Sequence, residues 1–199
     1  ADDMDVLGQF LEQNFPTQQD PLEVLAISKA EQVEAQAMMA GPLLSSQSAL
    51  IMNNKTGEVL YQKNANRVMP IASISKLMSA IVLLDADLNM NELVTITPEE
   101  IDRLKGTGSR LSIGTSLPRK ELLHLSLMSS ENRATHALAR TYPGGINAFV
   151  AAMNAKAQSL GMSNSRFYEP TGLDYRNVST AHDLSRLVAA ASKYPLIRR

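Results

Sequence analysis

The sequence predicts an α+β fold in which helices pack on an antiparallel sheet. Two observations carry this. Residues 48–61 form a hairpin pattern: two apolar runs, Ser48 to Met52 and Glu58 to Tyr61, flank an Asn- and Gly-rich turn. A succession of apolar helical segments then runs from Ile74 to Ala191, punctuated by Pro and Gly. Strands followed by a run of helices are the pattern of segregated layers.

Composition bounds the rest. The chain has 199 residues, 44% of them hydrophobic, which is globular and large enough for a real core. No apolar run reaches the ~18 residues needed to span a bilayer. There is no cysteine, which excludes thiol nucleophiles, thiolate metal sites and disulfides. Charge is uneven. Residues 1–40 hold eight acids and one base, Lys29, whereas the remainder holds 12 acids and 18 bases. The change falls at Gly41-Pro42, and it separates an acidic helical arm or leader (1–44) from a domain at 45–199. The bases are scattered without aromatic platforms, so no nucleic-acid surface is expected. The start, Ala1-Asp2-Asp3, fits the mature end left by removal of a signal peptide.

In order, Val6, Leu7, Phe10 and Leu11 make one helical stripe, interrupted by Pro16, and a second helix begins at Leu22. After the hairpin, a helix is predicted from Ile74 to Leu84 and ends near Asp85–Asn89. Thr97-Pro98-Glu99-Glu100 is a helix start with an N-cap, a first-position proline and first-turn acids. Lys105 to Ser109 reads as a loop. Pro118 opens a helix with core leucines at 122, 123, 125 and 127, which breaks at Ser129-Ser130-Glu131-Asn132 and resumes from Ala134 to Arg140. Gly144-Gly145 precedes a helix over Ala148 to Leu160, capped by Gly161. Pro170-Thr171-Gly172 is a turn. Thr180 to Asp183 resembles a capping box before a helix over Leu184 to Ala191, followed by a short tail.

The chemistry begins at Ser73 and Lys76. Three residues apart at a helix start, they share one face, with Cβ atoms about 5–6 Å apart. A serine hydroxyl needs a base to become a nucleophile, and lysine serves only if burial or a helix dipole lowers its pKa. The first-turn N–H of Ser73 is free of intrahelical partners and suited to a developing oxyanion. Ser130 and Asn132, 57 and 59 residues after Ser73, sit at a break between helices. Ser130 suits a proton relay to a leaving amine, and the Asn132 amide suits a substrate peptide group. The three histidines, His124, His136 and His182, show no metal-ligand spacing; His124 is expected to be packed or partly exposed and His182 solvated.

In this order the motifs resemble those of penicillin-binding proteins and class A β-lactamases, with Glu131 where that pattern carries Asp. Pro70 to Met78, Leu127 to Ala134, Tyr142 to Gly145, Met153 to Ala157, Leu160 to Met162, Glu169 to Leu173 and Val178 to Ala181 all resemble the D-alanyl-D-alanine peptidase family, most of all its endopeptidases. The resemblance covers about residues 45–199 and implies a β-lactamase/transpeptidase-like fold, here its N-terminal hairpin and helical part. It implies that Ser73 attacks a D-alanyl carbonyl with Lys76 as base, Ser130 passes the proton on, and Asn132 binds substrate. The implied substrate is the peptide stem of peptidoglycan, with a D-alanine to diaminopimelate cross-link cut by the endopeptidases. β-Lactams are then covalent inhibitors, no metal or organic cofactor is implied, and the location is periplasmic.

The family also needs a third motif, K-T-G, after the other two. Lys55-Thr56-Gly57 precedes Ser73 and sits in the hairpin turn, so it reads as a turn and not as that motif. The C-terminal wall of the cleft is therefore expected to be missing from residues 1–199, and these residues alone are expected to be unstable or inactive. Two other functions stay open. A β-lactamase on the same fold would use Glu169, 37 residues past Asn132, to activate a water; but Asp174 stands where that loop carries Asn, and Pro170 to Leu173 fits the peptidases. A non-catalytic binding module is the second.

Overall fold

The computed structural model of the chain describes residues 6–7, 9–10, 49–52, 59–63, 68–100 and 111–198. In chain order the elements are β1 (Ala49–Met52), β2 (Val59–Lys63), β3 (Met69–Pro70), α1 (Ser75–Asp85), β4 (Leu93–Thr95), β5 (Ser116–Pro118), α2 (Arg119–Met128), α3 (Asn132–Arg140), α4 (Gly145–Ser159), β6 (Val178–Ser179), α5 (Ala181–Ala191) and α6 (Pro195–Arg198). Short 3-10 turns lie at Ala72–Ile74 and Pro98–Glu100. This is the expected α+β composition, helices together with small antiparallel sheets. The second N-terminal helix, the turn at Lys55-Thr56-Gly57 and the loop at Lys105 to Ser109 lie outside the described residues.

The chain divides into two compact units. The first gathers Ala1–Met69, Leu160–Ser165 and Ser179–Arg199. In it β1 and β2 pair antiparallel as the hairpin pattern required, Ile51 opposite Tyr61, with a register shift that sets Met52 against Val59. Helix α5 packs on β1. The N-cap half of the predicted capping box forms: the Asp183 N–H donates to Thr180 Oγ1 at 3.0 Å. The Asp183 carboxylate is turned away to take the Asn164 N–H and the Ser165 hydroxyl, at 2.9 and 2.8 Å. Residues 6, 7, 9 and 10 are helical, and Val6, Leu7 and Phe10 of the expected stripe are buried. Two expectations differ. The tail after Tyr194 forms helix α6, because Ile197 is fully buried and anchors it. His182 is half-buried, and its buried Nδ1 makes no hydrogen bond among the described residues, because the first turn of α5 is itself packed at Ala181, Asp183 and Leu184.

The second unit, Pro70–Ser159 with Arg166–Val178, is built around α1, which packs against α2, α3 and α4. Its Leu77, Met78, Ile81 and Leu83 are fully buried, as are Leu122 and Leu127 of α2, Ala137 of α3, and Phe149 and Met153 of α4. An apolar helix buried on most of its surface must sit at the centre of its neighbours. Strands β4 and β5 pair antiparallel, Val94 opposite Leu117. Buried Arg119 ties the start of α2 to the turn between α1 and β4 through Asn89 O and Glu92, at 2.6 and 2.9 Å. Helix α4 starts at Gly145, three residues before the expected Ala148. Gly144 and Gly145 both have positive φ, 91° and 80°, and a Cβ on Gly144 would sit 2.7 Å from that of Ala148. Glycine lets the chain turn directly into the helix.

The helix start at Thr97 forms its reciprocal box: the Glu100 carboxylate accepts from the Thr97 N–H, and Thr97 Oγ1 accepts from the Glu99 N–H at 3.3 Å. In the described residues it is a 3-10 turn. Its Glu100 is not a solvated first-turn acid. The side chain is fully buried and pairs with His136 Nδ1 at 2.9 Å and Arg140 Nε at 2.7 Å, both on α3.

Candidate active site

Ser73 lies in the 3-10 turn that leads into α1, and Lys76 in the first turn of α1 itself. The spacing works as the sequence requires: Lys76 Nζ is 3.3 Å from Ser73 Oγ. The turn is tighter than a continuous helix because Ala72 has φ 46°, a left-handed conformation that costs a residue with a Cβ about 1–2 kcal/mol. Facing it is Gly172, φ 90°. A Cβ there would lie 1.8 Å from the Ala72 carbonyl oxygen, so the two backbones meet where no side chain fits.

Lys76 is 1% exposed. Its second partner is the Thr171 carbonyl, which accepts from Nζ at 3.2 Å. Burial pushes the amine down, and the carboxylates of Glu169 and then Glu131 restore part of the fall, leaving it at about 8 against an ordinary 10.5. At pH 7 about one amine in ten is then neutral, roughly 300-fold more than for a free lysine.

The second motif is shaped by a helix end. Ser129 and Glu131 both donate their N–H to the Leu125 carbonyl, at 3.0 and 3.2 Å, with Ser130 between them at φ 48°. The residue just past a helix C-cap is where the chain usually takes glycine in the left-handed conformation. A serine there is strained, and strain of this kind collects at functional sites. Helix α3 begins at once with Asn132, two residues earlier than expected, because the Glu131 carboxylate caps it by accepting the Arg133 N–H at 3.3 Å. Ser126 and Thr135 lock the two helices under the bend, Oγ to Oγ1 at 2.6 Å. Ser130 and Asn132 are half-buried, and Glu131 is close enough for its charge to act on Lys76.

Sequence reasoning marked a turn at Pro170-Thr171-Gly172 but missed how the loop from Arg166 to Val178 docks. Its ends bond to each other, Arg166 N to Val178 O at 2.9 Å and the reverse at 3.0 Å. Its inner face docks on α1. Ser79 Oγ donates to Pro170 O at 2.7 Å, Asn177 Nδ2 to Ser75 Oγ at 3.0 Å, and Lys76 to Thr171 O. Glu169, which the β-lactamase alternative would use to activate a water, is instead a bracket for its own loop. Both its oxygens are taken by the loop: the N–H and hydroxyl of Thr171, the N–H of Gly172, the N–H of Asp174 and the Asn177 amide. Asn177 also accepts the Tyr168 N–H at 2.7 Å and donates to the Glu169 carbonyl at 2.9 Å. The signal available was the Glu169-Pro170-Thr171-Gly172 turn itself, where a carboxylate precedes backbone donors it can gather.

With this geometry in hand, likeness to known proteins is informative. Residues 32–199 match the family model described as D-alanyl-D-alanine carboxypeptidase. The chain belongs to that family. It is 53% identical over 154 residues to the D-alanyl-D-alanine endopeptidase of Pseudomonas aeruginosa, covering 77% of this chain and 50% of that protein. The Escherichia coli D-alanyl-D-alanine endopeptidase is 48% identical over 178 residues, 87% of this chain and 57% of its own length. The chain thus spans about half the length of these relatives. A variant of the Streptomyces K15 DD-transpeptidase has a similar fold, with a TM-score of 0.71 at 28% identity, over 75% of this chain and 62% of that one. Among the described residues no helix is long and apolar enough to cross a membrane.

Proposed function

We propose that the protein containing this chain is a serine peptidase that cleaves D-alanyl peptide bonds of peptidoglycan through an acyl-enzyme, outside the cytoplasm. The observation that carries this is the buried Lys76 amine, at about 8, within 3.3 Å of the Ser73 hydroxyl. Neutral Lys76 takes the proton as Ser73 Oγ attacks the D-alanyl carbonyl carbon. Ser130 hands a proton to the departing amine, Asn132 holds the substrate amide, and water then releases the acyl group. Residues 45–199 carry this part of the domain, and 1–44 are an acidic arm or leader. The endopeptidase names of the two relatives favour a cross-link, D-alanine to diaminopimelate, as the bond cut. β-Lactams, which mimic the D-alanyl bond, acylate Ser73. The β-lactamase reading loses its support, because both oxygens of Glu169 are occupied by donors of its own loop.

The test is labelling of the intact protein with a fluorescent penicillin beside its Ser73→Ala variant. Label in the first and none in the second is the expected result, with the rate of labelling rising with pH through about 8, since the neutral amine is the active form. Label that survives in Ser73→Ala removes Ser73 from the role. Sustained turnover of a chromogenic cephalosporin, in place of one stoichiometric burst, would restore the β-lactamase.

A further inference from the structure

Glu169 stands apart from the other acid of its loop. Asp174 is neutralised by Arg176, bound through Nε and Nη2 at 2.6–3.0 Å. The donors on Glu169 are all neutral: two hydrogens from Thr171, the backbone N–H groups of Gly172 and Asp174, and the Asn177 amide. They satisfy its lone pairs without cancelling its charge. They also bend the chain at Thr171-Gly172, which is what turns the Thr171 carbonyl onto Lys76 Nζ and sets Gly172 against Ala72.

We propose that Glu169 is a positioning residue for Lys76, acting in two ways: its carboxylate gathers the loop so that the Thr171 carbonyl holds the amine beside Ser73, and its uncancelled charge acts on that amine. This rests on the reading of Ser73 and Lys76 given above. Glu169 touches no reacting atom; it acts through Thr171 and through its field. Among the described residues the charged groups acting on Lys76 are Glu169 and, after it, Glu131 at the α2–α3 bend; the helices packed on α1 (α2, α3 and α4) bring no other. The field opposes desolvation. With Glu169 neutral, Lys76 falls further, so the pH at which the neutral amine appears moves down. With the loop loosened, the amine is misplaced and the rate falls at every pH.

The experiment is the second-order rate of acylation by a fluorescent penicillin from pH 5.5 to 10, on the intact protein with Ser73→Ala as the blank. Glu169→Gln is expected to lower the plateau about 10- to 100-fold, as misplacement by up to about 1 Å does, and to move the midpoint of the rise down by about one pH unit. Glu169→Asp, which keeps the charge on a shorter arm, is expected to lose plateau rate but keep the midpoint. A purely structural glutamate would lower rate or Tm in both variants with the midpoint unmoved, and that result overturns the proposal. A Glu169→Asp protein with wild-type plateau overturns the positioning half, whether or not Glu169→Gln folds. Titration of Lys76 by its carbon-13 NMR signal in the wild type and both variants reads the same shift without activity. If the wild type takes no label, or Ser73→Ala keeps it, the Ser73 reading fails, and the NMR shift still decides the role of Glu169.

Discussion

Glu100 and Glu169 are both tied down by several partners within one compact unit, but by partners of different charge. Glu100 faces the Arg140 guanidinium and the His136 ring. Burial alone would raise its carboxyl, but hydrogen bonds from His136 and Arg140, then from Thr97, outweigh it and hold the group at about 2 against an ordinary 4.5. Its charge is spent locally, joining the Pro98–Glu100 turn to α3. Glu169 faces neutral amides and hydroxyls, and its charge remains available to Lys76. The lesson is that a satisfied carboxylate is not a neutralised one. Hydrogen-bond donors fix where the group sits; the charge of those donors decides how far its field reaches.

The contrast is easiest to break on the loop side. Gly172→Ala places a methyl 1.8 Å from the Ala72 carbonyl oxygen at a φ of 90°, so the loop must leave α1 and carry the Thr171 carbonyl away from Lys76. The expected acylation rate is at least about 100-fold below wild type. A rate within a few-fold would mean that Lys76 does not depend on the docked loop.

Glu100→Gln sharpens the other side. It leaves Arg140 and His136 without their buried anion, at a cost of about 3 kcal/mol, while the midpoint of the acylation pH profile stays where it was. The sign in pH follows from the depressed carboxyl. Its contribution is fully present above pH 4.5 and is lost as pH falls toward about 2. Thermal unfolding of both proteins at pH 7 and pH 3 is the check: the Tm gap between them must shrink at the lower pH. A gap of constant size would show that the ion cluster is not the source.

Asn177→Ala gives the smallest effect. It removes the acceptor for the Tyr168 N–H and the donor to the Ser75 hydroxyl, both in buried or half-buried surroundings. Chemical denaturation is expected to show a loss of about 1–3 kcal/mol, with acylation reduced only through the loosened loop and its pH midpoint unchanged. A shifted midpoint would show that Asn177, rather than Glu169, carries the electrical part.

Much of the site was legible because it is local. Ser73 and Lys76 are three residues apart, and helical geometry alone brings their side chains together. Ser130 and Asn132 announced themselves as a polar break between two leucine-rich and alanine-rich helices. The hairpin, the Thr180 box and the Gly161 turn were read from residues adjacent in the chain. What was not legible depends on partners far away. Ser75 and Ser79 look like chance polar residues in an apolar helix until Asn177 and Pro170, 102 and 91 residues later, are set against them. Glu100 looks like a first-turn acid until His136 and Arg140 arrive from α3.

The sequence by itself determined the helix that carries the candidate nucleophile and base, the break that carries the second motif, and the family to which the chain belongs. These rest on periodicity, capping and the ordered spacing of a few side chains, all short-range terms. Only the tertiary structure decided how basic Lys76 is. That quantity is a balance between the loss of water around the amine and the fields of two carboxylates on separate segments. Neither term exists until the loop at Glu169 closes on α1 and shuts the solvent out.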